Sequence, residues 1–165
     1  MRLLINLTIL FIQCSVTFIM LLFIYMIFVL LDYQGGVDGF IGTTIFQPIL
    51  GGLISIVTIL VCLIIGLPIR LVKTINSWWS RNYFISILGT ITGLTLLAIS
   101  FLPSFKESVK TTIENQETTK EIPNLILASI GWFLTAFATL HIFPTEKIKL
   151  WTENTITNIT GYGRK

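Results

Sequence analysis

Residues 66–82, GLPIRLVKTINSWWSRN, interrupt a chain that is otherwise almost continuously apolar. The stretch holds three basic residues, no acidic residue and two adjacent tryptophans. On a helical projection Arg70, Lys73, Ser77 and Arg81 share one face, with Val72, Ile75 and Trp79 opposite. Pro68 ends or kinks the apolar run before it. The pattern reads as an interfacial amphipathic helix over 68–83, lying at a membrane surface between two spans. Trp78, Trp79 and Tyr83 then sit at the level of the lipid headgroups. Each Lys or Arg near an anionic leaflet gains about 1 kcal/mol, so orientation and anchoring account for the pattern without an anionic ligand. Arg70, Lys73, Trp78, Trp79 and Arg81 are the expected membrane-interface or partner contacts.

The rest of the chain makes the membrane setting necessary. Of its 165 residues 53% are hydrophobic and only 12% charged, against roughly a quarter charged in soluble domains. A fold of this size has too little interior to hide so much apolar surface from water. Four runs have the length and composition of spanning helices, at 4–31, 44–67, 84–102 and 124–143. The first is longer than the apolar region of a signal peptide, about 7–15 residues, and no small-x-small site follows it, so it reads as a retained anchor. A glycine-rich turn segment follows the first run, and Pro103, Pro123 and Pro144 mark further ends. The segment between Pro103 and Pro123 is expected to form a short amphipathic helix with Phe105, Val109 and Ile113 on one face.

Charge sets the orientation. With four spans, Arg2, Arg70, Lys73, Arg81, Lys147, Lys149, Arg164 and Lys165 share one side, and Lys106, Lys110 and Lys120 lie on the other. Six of the eight acidic residues fall with the smaller basic group. Since Lys and Arg accumulate on the cytoplasmic side, the expected fold is an all-α integral membrane protein. It is a four-transmembrane-helix bundle forming a single domain over 1–165, with both termini and the tail 145–165 cytoplasmic. The richness in Ile, Thr and Asn suits an AT-rich bacterial genome, and the bacterial inner membrane is the expected location.

In lipid, helices associate through small residues and occasional side-chain hydrogen bonds. The second run carries such a stripe at Gly51, Ser55, Thr58, Cys62 and Gly66. The third carries Ser86, Gly89, Thr90, Gly93 and Ser100, including a GxxxG, and the fourth a looser set with Gly131 and Thr135. Gly51, Ser55, Thr58, Gly66, Ser86, Gly89, Gly93 and Gly131 are the expected helix-packing positions. The first run is bulkier, and its polar residues Asn6, Gln13 and Thr17 fall on one face. These amides and hydroxyls must face protein or water. They either make interhelical hydrogen bonds or are candidate pore-lining groups.

Several functions lose support. No Asp, Glu, Lys or Arg lies deep in a run, which disfavours proton relays and voltage sensing. Cys14 and Cys62 show no metal or redox spacing, and His141 reads as an interfacial hydrogen-bonding residue. No nucleophile–base pair or phosphate loop is evident, so no enzyme, cofactor, metal or nucleic acid is expected. The first reading is a helix-packing subunit of a homo- or hetero-oligomeric membrane complex, with lipids and other membrane subunits as partners. A small homo-oligomeric channel or permeabilising effector, and a carrier or flippase for a lipid-like molecule, are the alternatives.

Overall fold

A computed structural model describes residues 2–31, 37–113 and 116–142. Residues 32–36 and the tail 145–165 lie outside these residues. The rest of the glycine-rich segment expected as a turn, 37–42, is helical instead, because it leads without a break into the next apolar run. The described chain is mostly helical. It runs through α1 (Arg2–Leu31), α2 (Val37–Ile41), a π turn (Gly42–Phe46), α3 (Gln47–Ile65), α4 (Leu67–Leu71), α5 (Lys73–Arg81) and α6 (Phe84–Ser100). A hairpin follows, β1 (Glu107–Ile113) and β2 (Gln116–Ile122), and then α7 (Leu125–Leu140).

Two helical stretches are long and apolar enough to cross a membrane, Asn6–Leu31 and Gly39–Ile65. A third arises if α5 and α6, bent by 72° at residues 82–83, are taken together. By themselves α6 has 17 residues and α7 has 16, some 25 Å of helix at about 1.5 Å per residue. That is slightly less than the roughly 30 Å hydrocarbon core.

Local chemistry explains the breaks. Pro48 lacks an N–H and its ring crowds the carbonyl four residues earlier, at Thr44. The π turn over 42–46 widens the backbone at that place, so α2 continues into α3. Gly66 caps α3, and Pro68 opens α4 within its first two positions, where a missing N–H costs nothing. Val72 is extended (φ −85°, ψ 110°) and separates α4 from α5. The Asn76 side-chain amide donates to the Ile69 carbonyl at 3.1 Å and ties the two short helices together. The interfacial segment is thus two short helices rather than one.

The segment between Pro103 and Pro123 is an antiparallel hairpin, not the amphipathic helix expected from its spacing. Glu107 pairs with Ile122 and Ile113 with Gln116. Val109, Thr111, Thr112, Ile113, Thr118, Thr119 and Ile122 are β-branched, a composition that favours strands. The hairpin is anchored at its base: the Asn124 side-chain nitrogen donates to Glu107 Oε1 at 2.7 Å, and Asn124 Oδ1 caps α7 by accepting from Leu127 N at 2.9 Å.

The most buried helix is α7, which packs against α1, α3 and α6. Its tightest seam is with α6, where Gly93 and Gly131 bring the two backbones together. The α3 stripe faces inward: Gly51 lies under the Tyr25 ring, and Ser55, Thr58 and Cys62 are buried. Hydroxyls within the helices bond the carbonyl one turn back, Ser55 to Gly51 at 2.7 Å, Thr58 to Ile54 at 2.8 Å and Thr90 to Ser86 at 2.9 Å. Such bonds let a polar side chain sit in an apolar medium. Thr58 Oγ1 also accepts from Trp132 Nε1 at 3.0 Å, joining α3 to α7.

Candidate functional site

A helix leaves its last four carbonyls without intrahelical partners. At the C-terminus of α7 these groups, and the two residues after it, are met by side chains from four other helices. Gln13 of α1 donates from Nε2 to the Ile142 carbonyl at 2.7 Å. Arg70 of α4 donates from Nη2 to the Leu140 carbonyl at 3.0 Å and to Gln13 Oε1 at 2.9 Å. Trp79 of α5 and Ser86 of α6 both donate to the His141 carbonyl, at 3.0 and 2.9 Å, and Trp79 Nε1 also donates to Ser86 Oγ at 2.9 Å. A cation at this end also suits the negative pole of the α7 dipole.

His141 lies at the centre and is fully buried. Its Nδ1 is 2.7 Å from the Phe137 carbonyl, which makes Nδ1 the protonated donor, and its ring stacks obliquely on Phe137 at 4.3 Å between centroids. Trp79 meets Phe137 edge-on at 6.3 Å. The other ring nitrogen of His141 packs directly over Gly66, whose missing side chain makes the space. Among the described residues, His141 Nε2, Thr17 Oγ1 and Thr135 Oγ1 are buried without a hydrogen-bond partner. Burial lowers the Arg70 pKa through desolvation, but a guanidinium keeps its proton.

The sequence-selected positions therefore separate. Of the α1 polar face, Asn6 is exposed, whereas Gln13 and Thr17 are buried, at 7% and 1% exposure. Gln13 has both ends of its amide engaged within the chain. Of the basic and aromatic set, Lys73, Trp78 and Arg81 are exposed, while Arg70 and Trp79 turn inward. The small residues Gly51, Ser55, Thr58, Gly66, Ser86, Gly93 and Gly131 are all buried, and Gly89 is partly buried against Ala138. His141, whose lone occurrence offered little, joins the site through its carbonyl. Among the described residues no three His, Cys, Asp or Glu side chains gather as a metal site.

The arrangement gives four helices a common hold on one helix end. Replacing Trp79 with Phe removes the Nε1 donor and keeps the ring. It is expected to lower stability by about 1–2 kcal/mol, since Ser86 and the His141 carbonyl each lose a buried partner. Trp78→Phe, at a ring 53% exposed, is expected to change little. Thermal unfolding of both variants in detergent checks the contrast.

No protein-family model, curated protein or solved structure matches the chain.

Proposed function

We propose that the chain is a non-enzymatic membrane protein that crosses the bilayer four times, with both ends cytoplasmic, and works through helix packing as a subunit of a homo- or hetero-oligomeric complex. The observation that carries this reading is where the polar side chains go. Gln13, Arg70, Trp79 and Ser86 all point at the end of α7, so the interior chemistry serves cohesion. The outer faces are left to act. The apolar window of α1 is only 11% covered, and Phe11, Ile19 and Phe23 stand out from it.

The topology has support from charge and geometry together. Arg70, Lys73 and Arg81 lie at the α4–α5 end. The acidic hairpin residues Glu107 and Glu121 lie at the opposite end, where α6 stops and α7 starts. The 72° bend lets α5 lie along the cytoplasmic surface while α6 enters the lipid. The slightly short α6 and α7 are accommodated by local bilayer thinning. A bacterial inner membrane fits the positive-inside asymmetry.

A reporter active only in the cytoplasm, fused after Lys165, is expected to be active, and a periplasmic reporter there silent. Native mass measurement from mild detergent is expected to show a discrete oligomer or a stoichiometric partner. A lone monomer from several mild detergents and from native nanodiscs would overturn the subunit reading.

A further inference from the structure

Opposite the Arg70 end, the ends of α1 and α6 and the hairpin surround a cavity of about 550 Å³. Its polar wall carries Gln47, Lys106 and Glu121, and its floor includes Phe28 and Phe101, whose rings stack at 4.4 Å. Tyr25 Oη donates to Gln47 Oε1 at 2.6 Å, which fixes the amide and leaves Nε2 as its donor end. Lys106 Nζ and Glu121 Oε2 are 3.6 Å apart, with side chains 31% and 65% exposed. An ion pair this open contributes little by itself, so separating it to admit a ligand costs little.

Beneath this polar wall the cavity meets a second, apolar space. The groove between α1 and α6, about 260 Å³, shares Phe28, Leu31 and Phe101 with it. The groove continues along Ile24, Ile27, Leu94 and Ala98. A charged, hydrogen-bonding cavity thus lies beside an apolar groove along α1 and α6, with Phe28, Phe101 and Leu31 as their shared wall. The juxtaposition suits one phospholipid, its headgroup in the polar cavity and one of its two acyl chains laid over the shared wall into the groove.

The charges narrow the headgroup. We propose that this chamber binds a phospholipid whose head carries both a phosphate and a primary ammonium, as in phosphatidylethanolamine, taken from the outer leaflet. The phosphate oxygens accept from Lys106 and from the Gln47 amide nitrogen, and the ammonium donates to Glu121. A trimethylated ammonium has no N–H for Glu121. A glycerol headgroup leaves that carboxylate without a cation. The inference uses the outward placement of the hairpin and is independent of whether the chain is a subunit.

The full chain is reconstituted into nanodiscs of phosphatidylethanolamine, phosphatidylcholine or phosphatidylglycerol, and retained lipid is counted by native mass after detergent extraction. One phosphatidylethanolamine per chain is expected, preferred by about tenfold over the other two, the worth of one charge-assisted hydrogen bond. Lys106→Ala and Glu121→Gln lie at the surface and should fold normally while losing the preference. Ala98→Trp, which fills the groove far from the charges, should lose the lipid itself while keeping the unfolding temperature. Equal retention of all three lipids by the parent and both charge variants, no retained lipid, or a protein chain in the groove would each overturn the proposal. None of these lipid outcomes depends on the oligomeric mass, so the subunit reading stands or falls separately.

Discussion

Alanine at Gly93 or Gly131 is expected to force α6 and α7 apart and to destabilise the fold strongly. A Cβ at Gly93 would meet Thr135 Oγ1 and lie 2.7 Å from Thr135 N and 2.9 Å from the Gly131 carbonyl. At Gly131 it would lie 2.8 Å from the Gly93 carbonyl and 2.9 Å from Leu97 N. Besides the Thr135 and Leu97 side chains, the obstacles are backbone atoms, which no rotamer change can move. Overpacking costs about 1–3 kcal/mol where side chains can adjust, so about 3 kcal/mol is expected here. Gly89 meets the Ala138 Cβ at 3.0 Å and Leu134 Cδ1 at 4.0 Å, both side-chain atoms, and Gly52 only the Phe18 ring at 3.8 Å. Gly89→Ala should therefore be mildly destabilising, and Gly52→Ala neutral or slightly stabilising through helix propensity. The order is checked by thermal unfolding of the four variants in one detergent. Equal effects at Gly52 and Gly93 would sink the assignment of this seam.

The order also shows what the sequence carried and what it did not. Among the described residues the apolar runs locate every long helix, because a span needs little beyond continuous hydrophobicity. The small-residue stripes mark buried faces, because in lipid only close backbone approach distinguishes one apolar face from another. The hairpin escaped detection because Phe105, Val109 and Ile113 satisfy a helical spacing, while the β-branched Thr and Val residues prefer strands. A local spacing rule cannot weigh those two preferences. Arg70 and Trp79, expected as membrane-interface or partner contacts, turn inward for a different reason. On a single continuous helix they fall on opposite faces, one polar and one apolar. The extended residue Val72 breaks that helix, and both side chains then reach the same helix end. The available signal was the coincidence of one Gln and one Arg at similar depth in neighbouring segments, with Gly66 and Pro68 between runs. What it lacked was the target, because backbone carbonyls at a helix end have no residue type of their own.

Arg70→Leu is expected to loosen the C-terminal end of α7 by about 3 kcal/mol, because two acceptors, the Leu140 carbonyl and Gln13 Oε1, lose a charged donor. Gln13→Leu removes the Ile142 contact and one of the Arg70 partners, for about 1–2 kcal/mol. The two changes act on one network, so the double variant should cost about 1 kcal/mol less than the sum of the singles. Lys73→Leu, an exposed neighbour on the same segment, should cost almost nothing. This cycle also separates the two readings of the α1 amide. If Gln13 lines a pore, Gln13→Leu alters ion flux in liposomes and leaves both the unfolding temperature and the Arg70 effect unchanged. If Gln13 holds the end of α7, the unfolding temperature falls and the coupling to Arg70 is measurable, whatever the liposomes conduct. Strict additivity of Arg70→Leu and Gln13→Leu would dissolve the shared network, leaving Trp79 and Ser86 as the tertiary caps of the α7 terminus.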